Sequence, residues 1–237
     1  MNRPIAPGLS LSFDDRAIDK WFDMRDIFKQ YNARVTFFIT QPDSLSQSEV
    51  EKLRILKQDG HEIGFHGTHH VVSEFYIRNK SYSEYFSYEI TPGLKLMDSL
   101  GFKCTSFAYP YGSRYWFTDF LLLRKFKVLR GVSSVNKEKT LTKIDDIFFS
   151  LDKNRKLSAV GIDVNSGVDE KMLENAINRA ITRKEVLLLY GHIPTNNREA
   201  KGYIFKVSFL KFILEKAKSN GLKFYTMSEL ATNNNNK

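Results

Sequence analysis

Cysteine is almost missing from this chain: Cys104 stands alone, so no intramolecular disulfide can form. The 237 residues must therefore be held by a packed core, and a chain of that length buries enough surface to do so without staples. One cysteine says nothing about compartment. No stretch approaches the roughly 20 consecutive apolar residues of a membrane span. The N-terminal run Met1-Asn2-Arg3-Pro4-Ile5-Ala6-Pro7 has no apolar signal core. These absences fit a cytoplasmic protein, or an extracytoplasmic or cell-envelope protein whose leader or anchor was removed. Zinc-finger spacing, an Arg-rich helix and an RNA-binding aromatic motif are also lacking, so no nucleic-acid partner is expected. Nothing in the sequence fixes an oligomeric state.

Acidic residues are outnumbered. Thirty-six Lys and Arg stand against 27 Asp and Glu, giving a net charge of +9 and a pI near 9.4. An excess of that size favours an anionic partner, such as an acidic glycan, or reflects a Lys- and Asn-rich proteome. The densest series, Lys201, Lys206, Lys211, Lys216, Lys218 and Lys223, alternates with apolar residues at helical spacing, which reads as a solvated helix face.

Histidine is scarce too, yet concentrated. Of five histidines, four fall in the ten residues from His61 to His70, within Gly60-His61-Glu62-Ile63-Gly64-Phe65-His66-Gly67-Thr68-His69-His70. Imidazole is the commonest ligand for divalent transition metals, and His66 and His70, four apart, can converge on one ion. A polar surface loop is the competing reading, but such clustering in a histidine-poor chain favours ligation. His69 is not excluded by spacing. His61 lies at the start of a strand and reads as structural.

Strand-length apolar runs alternate with amphipathic stretches along the whole chain. Strands are expected at Leu9 to Phe13, Arg34 to Ile39, His61 to Phe65, Cys104 to Ala108, Val128 to Val132, Leu157 to Val164, Glu185 to Tyr190 and Leu222 to Tyr225. Helices are expected over Ile18 to Tyr31, Ser46 to Asp59, Ser83 to Leu100, Ser113 to Phe126, Asp169 to Thr182 and Tyr203 to Asn220. Ser46 and Glu49 have the spacing of a capping box. Pro92 implies a break or a late start in its helix. The polar stretch from Ser133 to Lys156 reads as a loop with an irregular strand at Ile147 to Leu151. The alternation implies one α/β domain over residues 1–232, built on a parallel sheet, followed by a disordered Asn-rich tail at 233–237.

In parallel α/β folds, ligands bind beyond the carboxyl ends of the strands. Asp14 and Asp15, His66 to His70, Tyr109-Pro110-Tyr111-Gly112, Asp163 and His192 all follow predicted strands. Each has a bland alternative. Asp14-Asp15 can cap the next helix. The Pro-Gly turn is a turn whatever else it does, although it can also aim the Tyr111 N–H at a developing oxyanion. His192 can be a satisfied core residue or an acid–base group, with Gly191 and Pro194 marking where its strand leaves the core.

Taken in order, Ser12-Phe13-Asp14-Asp15, His66-Gly67-Thr68-His69-His70, Phe107-Ala108-Tyr109-Pro110-Tyr111-Gly112 and Leu187-Leu188-Leu189-Tyr190-Gly191-His192 resemble the motifs of the polysaccharide deacetylases, the NodB-homology carbohydrate esterases. The resemblance runs from Leu9 to Leu230. It implies a single-domain, distorted, seven-stranded TIM-like (β/α) barrel with a metal site, usually Zn2+ or another divalent transition metal. It also implies Asp15, His66 and His70 as ligands, Asp14 as general base and His192 as general acid. Tyr109, Pro110, Tyr111 and Asp163 would contact the substrate, with the Tyr111 N–H helping to hold the oxyanion.

Three departures accompany the resemblance. Ala108 stands where the family has an Arg that supports the catalytic Asp, so Asp14 lacks its expected partner unless Arg16, Arg114 or another base supplies it. The Asp-rich fourth motif is not recognisable, and Asp163 in Gly161-Ile162-Asp163-Val164-Asn165 is the candidate for it. Gly67 stands where Ser or Thr is usual, removing a hydroxyl that would brace the ligand loop. The function expected is metal-dependent removal of N-acetyl groups from a glycan or glycoconjugate, with an anionic glycan left open by the charge. A related small-amide hydrolase and a catalytically weak glycan-binding homologue are the alternatives.

Overall fold

Along the first strand, Leu9, Leu11 and Phe13 alternate with Ser10, Ser12 and Asp14, and a strand sends such alternate residues to opposite faces. In the computed structural model, which describes residues 5–135, 140–150, 154–197, 199 and 201–232, both faces are covered. The Leu9, Leu11 and Phe13 side chains enter the larger core, shared with the helices. The other face turns into a barrel, whose inner cluster includes Phe38, Ala108, Val128, Ala159 and Leu188.

The barrel consists of seven parallel strands: β1 (Gly8–Asp15), β2 (Thr36–Ile39), β3 (Glu62–Phe65), β4 (Ser106–Ala108), β5 (Val128–Ser133), β7 (Lys156–Gly161) and β8 (Val186–Gly191). It closes where β1 pairs with β8, from Gly8 opposite Val186 to Phe13 opposite Gly191. The short β6 (Phe148–Phe149), between β5 and β7 in sequence, pairs antiparallel with β8. A parallel pair, β9 (Ile193–Thr195) and β10 (Ile204–Lys206), lies beyond β8, and β11 (Lys223–Phe224) pairs with β1. The fold is thus the expected distorted (β/α) barrel. No helix among the described residues is long and apolar enough to cross a membrane.

Several elements differ from the expectation in instructive ways. The helix expected from Ile18 to Tyr31 is two, α1 (Ile18–Phe22) and α2 (Arg25–Tyr31), with Trp21 and Phe28 buried beneath them. Helix α3 (Gln47–Gln58) begins at Ser46, where both bonds of the capping box form. A helix that the sequence did not announce, α4 (Ser73–Asn79), follows the histidine loop. The stretch expected as one helix from Ser83 to Leu100 is divided into α5 (Tyr82–Tyr85), a π turn over Phe86–Ile90, and α6 (Thr91–Ser99) with Pro92 in its first turn, where a missing N–H costs nothing. Helix α7 (Trp116–Leu122) is shorter than expected, while α8 (Glu170–Arg183) is capped by Asp169. Tyr203 lies before β10 rather than in α9 (Val207–Ser219). The last helix, α10 (Met227–Thr232), adds Met227 and Leu230 to the inner cluster. The expected tail at 233–237 and part of the polar 133–156 stretch lie outside the described residues.

Candidate active site

A cleft of about 470 Å³ opens at the carboxyl ends of the strands, lined by Asp14, Asp15, His66, His70, Tyr111, Gly112, Val132, Tyr190, His192 and Tyr203. Asp14 and Asp15 end β1. Asp14 is buried and follows Ser10 and Ser12 on the inward face. Asp15 has φ +82, a conformation that non-glycine residues adopt rarely and chiefly at functional positions, and its carboxylate turns toward the histidines.

Asp15 Oδ1 lies 3.2 Å from His70 Nε2 and 3.6 Å from His66 Nε2, and the two imidazole nitrogens are 3.3 Å apart. Ligand atoms of a tetrahedral site with bonds near 2.0–2.1 Å are separated by about 3.3 Å. The triangle therefore fits one transition-metal ion. The ring orientation of His66 supports this: its Nδ1 lies 2.9 Å from the Ala108 carbonyl, which takes the Nδ1–H and leaves Nε2 as the free donor. Burial would by itself raise the Asp15 carboxyl pKa, but the two imidazoles set against the carboxylate outweigh it and hold the group well below the usual range. His69 does not join the three. Its ring stacks on Tyr88 with centroids 3.9 Å apart, and its Nδ1 faces Glu89 at 3.6 Å. His61 is buried, its Nδ1 accepting the Val35 N–H at 3.2 Å while Phe28 and Phe37 pack on its ring.

The support for Asp14 comes from a residue that sequence reading passed over. Arg130, completely buried on β5, donates from Nη2 to Asp14 Oδ2. Ala108 and Arg130 are register partners on adjacent strands, and such partners send their side chains to the same face of a sheet. The guanidinium reaches Asp14 from one strand over, with the small Ala108 beside it. It lies between two rings, 4.8 Å from the Tyr190 centroid and 5.5 Å from that of Phe38. Neither Arg16 nor Arg114 takes this place: Arg16 pairs with Glu49, and Arg114 with Asp119. Asp14 Oδ1 is buried with no partner among the described residues, and so are Nε and Nη1 of Arg130. Buried polar atoms in such a state call for water or a ligand. The available signal was an arginine inside an otherwise apolar strand, Val128-Leu129-Arg130-Gly131-Val132.

His192 follows β8. Its Nδ1 is 2.6 Å from Asp163 Oδ2, and its backbone N–H donates to Asp163 Oδ1 at 3.1 Å. Trp21 Nε1 donates to the His192 carbonyl at 2.7 Å, fixing the residue from the other side. Burial works against the charged ring, but the hydrogen bond to Asp163 and the charges of Asp14, Asp163 and Asp15 outweigh it and raise the His192 pKa.

Of the four residues expected to contact substrate, only Tyr111 lines the cleft. Tyr109 is completely buried and its hydroxyl donates to Asp119 at 2.8 Å. Pro110 is buried as well, and Asp163 lies behind His192, away from the opening. Tyr109 and Pro110 instead build the turn. Gly112 N–H donates to the Tyr109 carbonyl and Ser113 N–H to the Pro110 carbonyl, while the Tyr111 N–H between them has no backbone partner among the described residues. Tyr111 itself has φ +57 and is two-thirds exposed, and its ring lies against that of His70 at 4.7 Å. Tyr203, also exposed, packs edge-on to His192 at 5.2 Å and forms another part of the rim.

Residues 2–123, just over half of the chain, match the sequence profile of the family described as polysaccharide deacetylase. The chain belongs to the polysaccharide deacetylase family. No curated protein is significantly similar to it in sequence. Solved structures share the fold at low identity. The catalytic domain of the peptidoglycan N-acetylglucosamine deacetylase of Eubacterium rectale is 13% identical, with a TM-score of 0.58 over 94% of this chain and 90% of that one. Peptidoglycan deacetylase PdaC of Bacillus subtilis is 16% identical, with a TM-score of 0.59 over 96% and 91%. The Xyl-CE4 domain of a multidomain xylanase from the hindgut metagenome of Trinervitermes trinervoides is 20% identical, with a TM-score of 0.55 over 95% and 89%.

Proposed function

We propose that this polysaccharide deacetylase family member hydrolyses N-acetyl groups of glucosamine-type residues in a polysaccharide or glycoconjugate, using a divalent transition metal held by Asp15, His66 and His70. The observation that carries the reading is the pairing of a metal-sized ligand triangle with an adjacent buried carboxylate, Asp14, one oxygen of which is held by Arg130 while the other has no partner among the described residues. The metal would be zinc, or cobalt, nickel or manganese, all of which accept a carboxylate–imidazole set. When bound, it supplies Lewis-acid polarisation of the acetamide carbonyl and acidifies water.

The protein's own residues do the rest. Asp14 Oδ1 takes a proton from the attacking water as the new C–O bond forms at the acetamide carbon. The Tyr111 N–H donates to the carbonyl oxygen as it gains negative charge. His192 carries a proton on Nε2, because Asp163 holds the opposite nitrogen and favours the charged ring. Transfer of that proton to the amide nitrogen lets the C–N bond break, releasing acetate and the free amine. Tyr111 and Tyr203 offer exposed rings on which sugar faces can pack. The N-acetylated glycan is the proposed partner, and the +9 charge suits an anionic one.

Ala108 and the unrecognisable fourth motif favoured a weak glycan-binding homologue. Each now has a counterpart in the site: Arg130 beside Asp14, and Asp163 beside His192. The test is acetate release from N-acetylated glucosamine oligomers and peptidoglycan fragments, before and after chelation and with zinc restored. Release that chelation abolishes and zinc restores is the expected result. No release from the loaded protein on any of these glycans would defeat the proposal.

A further inference from the structure

Residues 66–71 carry two of the three ligand atoms, yet the loop is short and Gly67 offers no side chain to brace it. The brace comes from Glu89 in the π turn. Its side chain is completely buried. Oε2 accepts the His69 N–H at 2.7 Å, and Oε1 accepts the Val71 N–H at 3.0 Å. The Glu89 carbonyl accepts both the Thr68 N–H at 2.9 Å and the Thr68 hydroxyl at 2.7 Å. One residue thus holds three positions of the loop and brackets His70, which sits at φ +59.

Gly67 belongs to the same arrangement. A Cβ there would lie 2.1 Å from Glu89 Oε1, so any side chain at position 67 would displace the carboxylate, and its φ of +90 also favours glycine. The π turn over Phe86–Ile90 is the other half. One extra residue rotates a helix face by about 100°, and such turns are rare enough to be found mostly at functional sites. Among the described residues, the one ion-pair neighbour of Glu89 is His69, so no Lys or Arg accounts for the buried charge.

We propose that Glu89 is a positioning residue for the metal centre: its carboxylate sets the loop conformation that brings His70 to Asp15 and His66. The proposal rests on the reading of Asp15, His66 and His70 as a metal site. Glu89 touches neither substrate nor metal. It acts through the backbone on either side of His70, with Gly67 leaving the space it needs.

The test compares full-length wild type, Glu89→Ala and Glu89→Gln by zinc affinity against a chromophoric chelator, the absorption spectrum of the cobalt-loaded proteins, and thermal unfolding of the metal-free forms. Loss of outer-shell support typically weakens metal binding 10–100-fold. Folded Glu89→Ala is expected to show a loss of that size with an altered cobalt spectrum. Glu89→Gln, which keeps one acceptor but turns an NH₂ toward the other N–H, is expected to fall between. Wild-type zinc affinity in folded Glu89→Ala, whatever its melting temperature, would overturn the proposal. If Glu89→Ala does not fold, wild-type affinity in Glu89→Gln would do so. A wild type that binds no zinc would instead bring down the metal-site reading, and this positioning role with it.

Discussion

Arg130 on β5 holds the carboxylate of Asp14 on β1 from inside the barrel, with neither side chain more than 3% exposed. The pair relates two strands that are not neighbours. It places the positive charge where Ala108, the register partner of Arg130, would otherwise leave Asp14 alone. Breaking a buried ion pair by removing one partner costs about 3–5 kcal/mol, because the other charge remains desolvated. Arg130→Met is therefore expected to lower stability by that order. Small misplacements of a catalytic group cost about 100-fold, so acetate release should fall at least that far while zinc content is retained. The double variant Ala108→Arg/Arg130→Ala returns the guanidinium to the neighbouring strand and should recover part of the activity. Steady-state kinetics with metal analysis checks both.

The His192–Asp163 pair makes a prediction about pH. A raised His192 pKa extends to higher pH the range over which the ring holds its proton, and activity that needs this proton falls as pH rises through that pKa. Asp163→Asn removes the charge and weakens the hydrogen bond, so the pKa falls. The alkaline limb of the kcat–pH profile should move to lower pH, and kcat near neutrality should drop. An unmoved limb would remove Asp163 from this role.

His61 affects stability rather than chemistry. Burial in the aromatic core lowers its pKa from 6.5 to about 4. The unfolded chain therefore takes up a proton at higher pH than the folded one, and the contribution present above pH 6.5 is lost as pH falls toward 4. A shift of that size corresponds to about 3 kcal/mol. His61→Gln, which keeps an acceptor for the Val35 N–H, should flatten this part of the stability–pH curve in metal-free protein, measured by urea unfolding.

Replacing Gly112 tests the turn that aims the Tyr111 N–H. A Cβ at 112 would lie 2.1 Å from Val132 Cγ2, and the residue has φ +65. Gly112→Ala should therefore shift the turn and lower kcat by about 10-fold or more, given the two to three powers of ten attached to one oxyanion donor. Zinc affinity should be unchanged, as measured by chelator competition.

Much of this was legible in the chain because the signals were local. Strand-length apolar runs ending in Asp14-Asp15, His66 and His192 carried the barrel and its functional end, and Ser46 with Glu49 announced a helix start that forms as spaced. What escaped depends on contacts distant in sequence. Arg130 looks like one charge in an apolar strand until β4 and β5 are put in register, and Glu89 looks like a helix-surface carboxylate until the π turn rotates it inward. Tyr109 was misplaced for a related reason: a tyrosine in a turn suggests exposure, but Asp119 offers its hydroxyl a buried partner ten residues on.

The most direct measurement is metal content and acetate release, determined together, for wild type, Asp14→Asn and His66→Ala. Wild type is expected to bind one zinc and release acetate from N-acetylated glycan. Asp14→Asn should keep the zinc and lose acetate release, while His66→Ala should lose both. Undiminished release by Asp14→Asn, or full zinc binding by His66→Ala, would contradict the separation of ligand and base on which the site depends.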